Sequence, residues 1–325
     1  SSGGSDAFLT KINSDGTYSW TKKIGGGDED TSNSITVDSN LNVYITGNFK
    51  GVVNFSADWS GTANIASGGE RDIFITKIDS AGNYVWTKKI GGTSDDYEDV
   101  NSITTDKDNN IFITGFFYGT VNFALDWGSS DTKTKDMSTQ GDIFITKINS
   151  NGTYGWTKSI GNSGDEDGKR IVTDIDGNVY ITGFFQDSIN FGLDWSGNDS
   201  KTSSGLHDIF VTKIMANGTY GWTKVIGGSG VDVGDAILID SDANIYIAGR
   251  FSDVANFGAD WSTSDNKSSC GDCDIFITKI KSDGSYCWSK TAGGTGYDWA
   301  TSLTIDLLNN VYLSGIFSNT VDFRK

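Results

Sequence analysis

The chain of 325 residues has no proline, one histidine, two methionines and three cysteines. Its 25 lysines and arginines are outnumbered by 42 aspartates and glutamates, for a net charge of −17. Each shortage excludes something. Ser-His-Asp and Cys-His catalysis needs an imidazole. The one available, His207, occupies a position held elsewhere by Arg71, Gly141 and Cys273, and reads as an ordinary loop residue. Three cysteines are too few for a disulfide framework. Cys270-x-x-Cys273 lacks the second pair a zinc site needs, and Cys287 stands where Ser19, Val85, Gly155 and Gly221 stand in other copies. Cys270 and Cys273 read either as a small local disulfide in an exported chain or as free thiols. The deficit of positive charge argues against nucleic acid and anionic lipid as partners. No run of about 18 apolar residues is present, so no helix is expected to cross a membrane. No phosphate loop or dinucleotide fingerprint is found, because the Gly-Gly pairs precede strands and not helices. The chain opens Ser1-Ser2-Gly3-Gly4, which reads as a processed or trimmed product.

Against these absences stand 42 glycines, 10 tryptophans, 18 phenylalanines and 12 tyrosines, enough large side chains to build a core. They are arranged in repeats. Asp6-Ala7-Phe8-Leu9-Thr10-Lys11-Ile12 recurs from Asp72, Asp142, Asp208 and Asp274. Each copy leads through a turn to a Trp-Thr/Ser-Lys segment at Trp20, Trp86, Trp156, Trp222 and Trp288, then to a Gly-rich acidic loop and two short apolar segments. The segments are β-branched or aromatic, bounded by Gly, Asn, Asp or Ser, and carry no helical period, so all read as strands. Asp15-Gly16, Asn151-Gly152, Asn217-Gly218 and Asp283-Gly284 supply the turns. Four strands per repeat and five repeats predict an all-β, five-bladed β-propeller of four-stranded antiparallel blades, forming a single domain over 1–325. In the first full copy strand A is placed at Ile35–Asp38, strand B at Val43–Phe49, strand C at Asp72–Ile78 and strand D at Tyr84–Ile90. The N-terminal C–D strands are expected to pair with the C-terminal A–B strands, which closes the ring and hides its edges.

The string Asp-x-Phe-x-x-Lys-Ile, Gly-x-x-x-Trp, Ile-Gly-Gly, Ile-x-x-Asp, Asn-x-Tyr-Ile-x-Gly resembles the SBBP-type β-propeller repeat of bacterial and archaeal surface or secreted proteins. The resemblance extends over nearly the whole chain and implies the propeller fold and an extracellular or cell-surface location. It says little about activity, since one fold hosts many functions.

Several repeated positions carry chemistry. Asp38, Asp106, Asp174, Asp240 and Asp306 close strand A and read as caps of the A–B turn. Three of them begin an Asp-x-Asp-x-Asn string, but the twelfth position holds Phe117, Phe185 or Phe251 where a calcium loop needs Glu. Asp30, Glu98, Glu166, Asp232 and Asp298 stand five residues before strand A in every copy, with Asp28, Asp95, Asp96, Asp99, Asp165, Asp167 and Asp235 nearby. If these loops share one mouth of a channel, the five carboxylates read as a Ca²⁺-type site; the plainer reading is a loop cap accepting backbone N–H groups. The B–C insertions carry Asn-Phe-x-x-Asp-Trp, ending at Trp59, Trp127, Trp195 and Trp261. These tryptophans read either as a stacking platform for saccharides or as covers for the blade edge. Asn-x-Ser/Thr occurs at Asn54, Asn151, Asn198, Asn217 and Asn266.

The leading functional expectation is a non-enzymatic, extracellular structural or interaction module of a surface, matrix or filament. Its partners would be other proteins or further copies of itself, with no cofactor beyond Ca²⁺. The alternatives are a lectin binding glycans through the insertion tryptophans and a glycosidase using the loop carboxylates.

Overall fold

Each Lys-Ile–turn–Tyr segment folds as a hairpin because its turn meets the backbone's demands. In the turn after Ile78, the Gly82 N–H donates to the Asp79 carbonyl (2.9 Å) at φ 89°, a conformation glycine adopts without Cβ strain. The flanking strands alternate Ile, Phe, Thr and Lys, and a buried hydroxyl pair fastens them across the ladder, Thr76 to Thr87 and Thr212 to Thr223, each at 2.8 Å. That contact accounts for the Thr that follows Trp in four of the five copies.

The computed structural model describes residues 3–92, 97–135, 141–162 and 164–323. It is all-β and antiparallel, with propeller-type blades. Blade one runs A (Thr31–Val37), B (Val43–Phe49), C (Asp72–Ile78) and D (Tyr84–Ile90) in one sheet. Blade two comprises Tyr97–Thr105, Ile111–Asn122, Asp142–Ile148 and Tyr154–Ile160. Blade three comprises Asp167–Thr173, Val179–Phe185, Asp208–Ile214 and Tyr220–Gly228. Blade four comprises Val233–Ile239, Ile245–Phe251, Asp274–Ile280 and Tyr286–Gly294. Strands B, C and D of blade one match the sequence expectation residue for residue. Strand A starts four residues earlier than expected, because a bulge between Ser32 and Ser34 lets the strand continue past an irregularity. Facing that bulge is Gly47, where a Cβ would run into the backbone of Thr31 and Ser32.

The chain clusters into two compact units: 1–105, 109–137 and 146–157 in the first; 106–108, 138–145 and 158–325 in the second. In the first, strands B and C of blade one pack Ile45, Phe49, Phe74 and Ile78 against Ala7, Leu9 and Ile24 of the opening hairpin. In the second, Ile245, Ile247, Phe251 and Phe276 of blade four pack against Ile209, Val211 and Ile226 of blade three.

Two half-blades remain. The opening hairpin (Ala7–Ile12, Tyr18–Ile24) and the closing hairpin (Trp299–Ile305, Val311–Ile316) are each a two-stranded sheet. Tyr312 is 56% exposed where Tyr44 and Tyr180 are buried, and Phe8 is 67% exposed where Phe74 and Phe210 are buried.

The insertions are short hairpins around a 3₁₀ turn, such as Val52–Asn54, Ala57–Trp59 and Asn64–Ala66. Each reaches back to strand D of the preceding blade. In blade four the insertion strand pairs Ala255 and Asn256 with Gly228 and Gly227 of blade three, and so covers an edge that would otherwise be bare.

Candidate functional site

The repeated side chains serve the scaffold. Asp38 accepts the N–H groups of Asn40 (2.9 Å) and Asn42 (2.8 Å), the Asn42 side-chain amide (2.8 Å) and the Tyr44 hydroxyl (3.0 Å), which caps the A–B turn. Burial pushes its carboxyl up, but these bonds outweigh burial and hold it below the ordinary value. In the insertion, the Asn54 side-chain oxygen accepts from the N–H groups of Ser56 and Ala63. Phe55 enters the core edge-on to Phe49, with ring centroids 5.2 Å apart. Asp58 accepts the Lys23 N–H of the preceding strand D (2.7 Å). The indole N–H of Trp59 donates to the Gly82 carbonyl (2.7 Å), while Lys22 lies 5.1 Å over its ring and Tyr84 packs at 5.8 Å. Trp127, Trp195 and Trp261 repeat the arrangement, donating to Gly152, Gly218 and Gly284. All four tryptophans are half-buried among contacts of their own unit.

Asp30, Glu98, Glu166, Asp232 and Asp298 are all buried. Asp232 accepts from the Gly228 N–H (2.8 Å) and the Ser252 N–H (3.2 Å), and so ties the end of strand D to the end of strand B. Asp30 and Asp298 do the same with Gly26 and Lys50, and with Gly294 and Ser318. Among the described residues, no three acidic, His or Cys side chains gather into one metal-holding group. Asp95 and Asp96 lie outside the described residues.

What these acids do meet is the aspartate that opens strand C. The Asp232 carboxyl is raised to about 7, by burial and by the charge of Asp208; burial raises Asp208 itself to about 6. The Gly-Gly pair makes room for this arrangement. A Cβ on Gly227 would come closer than 3.0 Å to the Asp208 carboxyl carbon and both its oxygens, and Gly91 stands in the same relation to Asp72. The sequence pattern contained this signal in the fixed order of Asp, Gly-Gly and acid, although strand C's first residue reads there as a mere repeat marker.

A second cluster consists of residues that break the repeat. At the D–A loop end of blades three and four, Lys169 pairs with Asp167 and lies 5.4 Å over Phe184. The His207 ring stacks on Phe184 with centroids 4.5 Å apart, and its Nε2 stands 3.5 Å from Asp165. Burial, opposed by Asp165 and aided by Arg250 and Lys169, moves the pKa of the imidazole below its ordinary value. Arg250 pairs with Asp235 (3.3 Å) and lies 5.4 Å over Trp299, which meets Tyr297 edge-on at 4.8 Å. At corresponding positions of the first unit, Tyr97 stacks on Tyr118 (5.0 Å) and Phe116 (6.0 Å), and Arg71 pairs with Glu29 (3.1 Å). Lys169-Arg170, Tyr297 and Trp299 look like scattered departures from the repeat. Their common register, beside the strand-A bulge and next to the strand-B Phe, is what places them together.

The SBBP beta-propeller repeat family model matches residues 19–48, 85–115 and 155–183, each segment running from strand D through strands A and B of the next blade. An uncharacterised WD repeat-containing protein of Acanthamoeba polyphaga mimivirus is 26% identical over 268 residues, covering 74% of this chain and 19% of its own. The regulatory protein FlaEY of Caulobacter vibrioides is 25% identical over 169 residues, covering 52% of this chain and 17% of its own. The chain thus spans about a fifth of the length of these curated relatives. A crystal structure of a protein of unknown function from Bacteroides caccae covers 90% of this chain and 92% of its own, at 10% identity and a TM-score of 0.37.

Proposed function

We propose that this β-propeller repeat protein is a non-enzymatic interaction module that engages a protein partner through the patch of Lys169, Phe184, His207, Arg250, Tyr297 and Trp299. One observation carries this reading. The positions that the repeat leaves free to vary gather aromatic, Arg and Lys side chains on one half-exposed surface. In the complete blades the repeated acids and the strand-B Phe are buried, and the insertion Trp residues are bound within the scaffold. Partly buried Trp, Tyr and Arg dominate the energy of protein interfaces. The repeated acids recur in like environments, which favours architecture over the unlike acid and base a hydrolase needs. The likeness of the repeats to those of surface proteins supports an extracellular or cell-surface location.

The test is affinity capture from the native source, quantified for the wild-type chain, for Trp299→Ala and Arg250→Ala, and for Asn64→Ala outside the patch. The patch variants should lose specific partners by about tenfold or more, and Asn64→Ala should keep them. Equal capture by all four, or a hydrolytic activity that survives purification, would overturn the reading. Glycan binding through Trp59 and its equivalents has less support, since each indole N–H already donates to a glycine carbonyl and each ring packs against Lys and Tyr.

A further inference from the structure

Within each unit, strand A of one blade packs on strand A of the next. From blade one to blade two, the Asn33 side-chain amide donates to the Val100 carbonyl (2.7 Å) and the Ile103 N–H to the Ser34 hydroxyl (3.2 Å), and Ile103 is buried. The A–B turns meet as well. Ser39, which follows the Asp38 cap, donates its N–H (2.9 Å) and its hydroxyl (2.8 Å) to Asn109, the left-handed residue (φ 62°) of the next turn. From blade four to the closing hairpin, the Ser241 hydroxyl donates to Asn309 (3.3 Å), again left-handed at φ 63°. Strand A of blade one differs, because the opening hairpin supplies strands C and D only. Ile35 is 53% exposed where Ile103 and Ile237 are buried. The left-handed position of its turn holds Leu41 (φ 63°, 66% exposed), a residue that adopts this conformation at a cost. An apolar groove of about 410 Å³ runs there, lined by Leu9, Ile12, Trp20, Ile35, Val37 and Leu41 among others. In the closing hairpin, the residue after the cap Asp306, where Ser39 and Ser241 stand, is the fully exposed Leu307.

We propose that the closing hairpin of a second copy docks in this groove, so that two chains join head to tail through one shared blade. Its strands Trp299–Ile305 and Val311–Ile316 serve as A and B to the C and D of the opening hairpin. Three observations select this occupant. The first is apolar complementarity. Leu307 meets Leu41 where Ser39 meets Asn109, so both members of the pair change together from polar to apolar. The second is register. Blade four pairs Ile245 with Ile280 and Phe251 with Asp274, and the same alignment sets Val311 against Ile12 and Phe317 against Asp6. The third is charge. Lys279 lies 3.5 Å from Asp240 and 4.9 Å over Tyr246, and Lys11 stands in the same relation to Asp306 and Tyr312 of the incoming hairpin. Phe8 and Tyr312, like Leu41 and Leu307, are more than half exposed, so each face is open to another molecule. A joint between two unlike surfaces builds rings or chains of copies. It needs none of Lys169, Phe184, His207 and Arg250, so it stands or falls independently of the interaction patch.

The experiment is sedimentation velocity of the full chain from micromolar to submillimolar concentration. The wild type should form species larger than the monomer, and Arg250→Ala should do the same. Leu41→Asp and Leu307→Asp copies should each stay monomeric, since each loses one half of the joint. Both positions are exposed, and aspartate tolerates the left-handed conformation. A mixture of the two should stop at the dimer, because each retains the half that the other lacks; that dimer also shows that both variants fold. Leu41→Asn alone should weaken association by about tenfold or more. Adding Leu307→Ser to it installs the pair seen at Ser39 and Asn109 and should restore association. A wild type that stays monomeric, as it would with the groove filled from its own chain, a mixture that gives no dimer, or undiminished association of Leu41→Asn would each overturn the proposal.

Discussion

Gly91→Ala tests whether the glycine after strand D exists to admit the strand-C carboxylate. The added methyl would come closer than 3.0 Å to the Asp72 carboxyl carbon and to both oxygens. Asp72 cannot swing aside freely. It is fully buried and held by the Lys89 ammonium and the Gly68 N–H, both at 2.8 Å. Overpacking of this kind costs about 1–3 kcal/mol. Displacing the carboxylate from its partners adds about 1–3 kcal/mol for groups left buried and unsatisfied. Gly91 does not have a positive φ, so alanine gives back only about 0.4–1 kcal/mol by restricting the unfolded chain. The net expectation is a loss of about 2–5 kcal/mol, read as a lower urea midpoint with an unchanged slope. The double variant Gly91→Ala/Asp72→Gly isolates the clash, because the methyl then enters vacated space. The two substitutions should be strongly non-additive, with a coupling of at least about 1 kcal/mol. A stable Gly91→Ala, or additive effects in the cycle, would refute the steric account of the Gly-Gly motif.

Three further outcomes are expected. Phe191→Ala removes a fully buried ring that lies 5.3 Å from both Phe185 and Phe210, and should cost about 3–5 kcal/mol in thermal or urea unfolding; a loss below 1 kcal/mol would show that the insertion is not part of the core. Asp38 and Asp240 have folded values depressed below the ordinary 3.8, since hydrogen bonds outweigh burial. They therefore contribute stability that is present above pH 3.8 and lost as pH falls through the lower folded values. Replacing both by Asn should flatten the acid limb of the stability–pH curve, and an unchanged limb would contradict the assignment. Cys273 is buried with its thiol pushed up by burial, whereas Cys270 is exposed. A thiol reagent at pH 8 should therefore label Cys270 rapidly and Cys273 only on unfolding, as mapped by mass spectrometry.

Much of the blade was legible in the repeat itself. Strands B, C and D of blade one end where the apolar alternation meets Gly, Asp and Asn, since a period of two and a positive-φ turn residue are local properties. Strand A was read short because Ser32, Asn33 and Ser34 look like loop, and only pairing with Gly47 makes them strand. The loop carboxylates were legible as a set, but their partner was not: Asp208 and Asp232 are 24 residues apart in sequence, and only the fold joins them. The contiguity of Lys169, His207, Arg250 and Trp299 was hidden for the same reason, since they come from different repeats and share only a register.

The backward reach of the insertions gives the array a direction. Asp58, Asp126 and Asp194 each take a backbone N–H from the strand D that precedes their own blade, at Lys23, Lys89 and Ser159. A blade is thus finished not by its own residues but by its successor's. On a ribosome, each module would stay incomplete until the following one had emerged. A deletion from the C-terminal side would strip a neighbour of its seal, while one from the N-terminal side would leave the rest fully sealed.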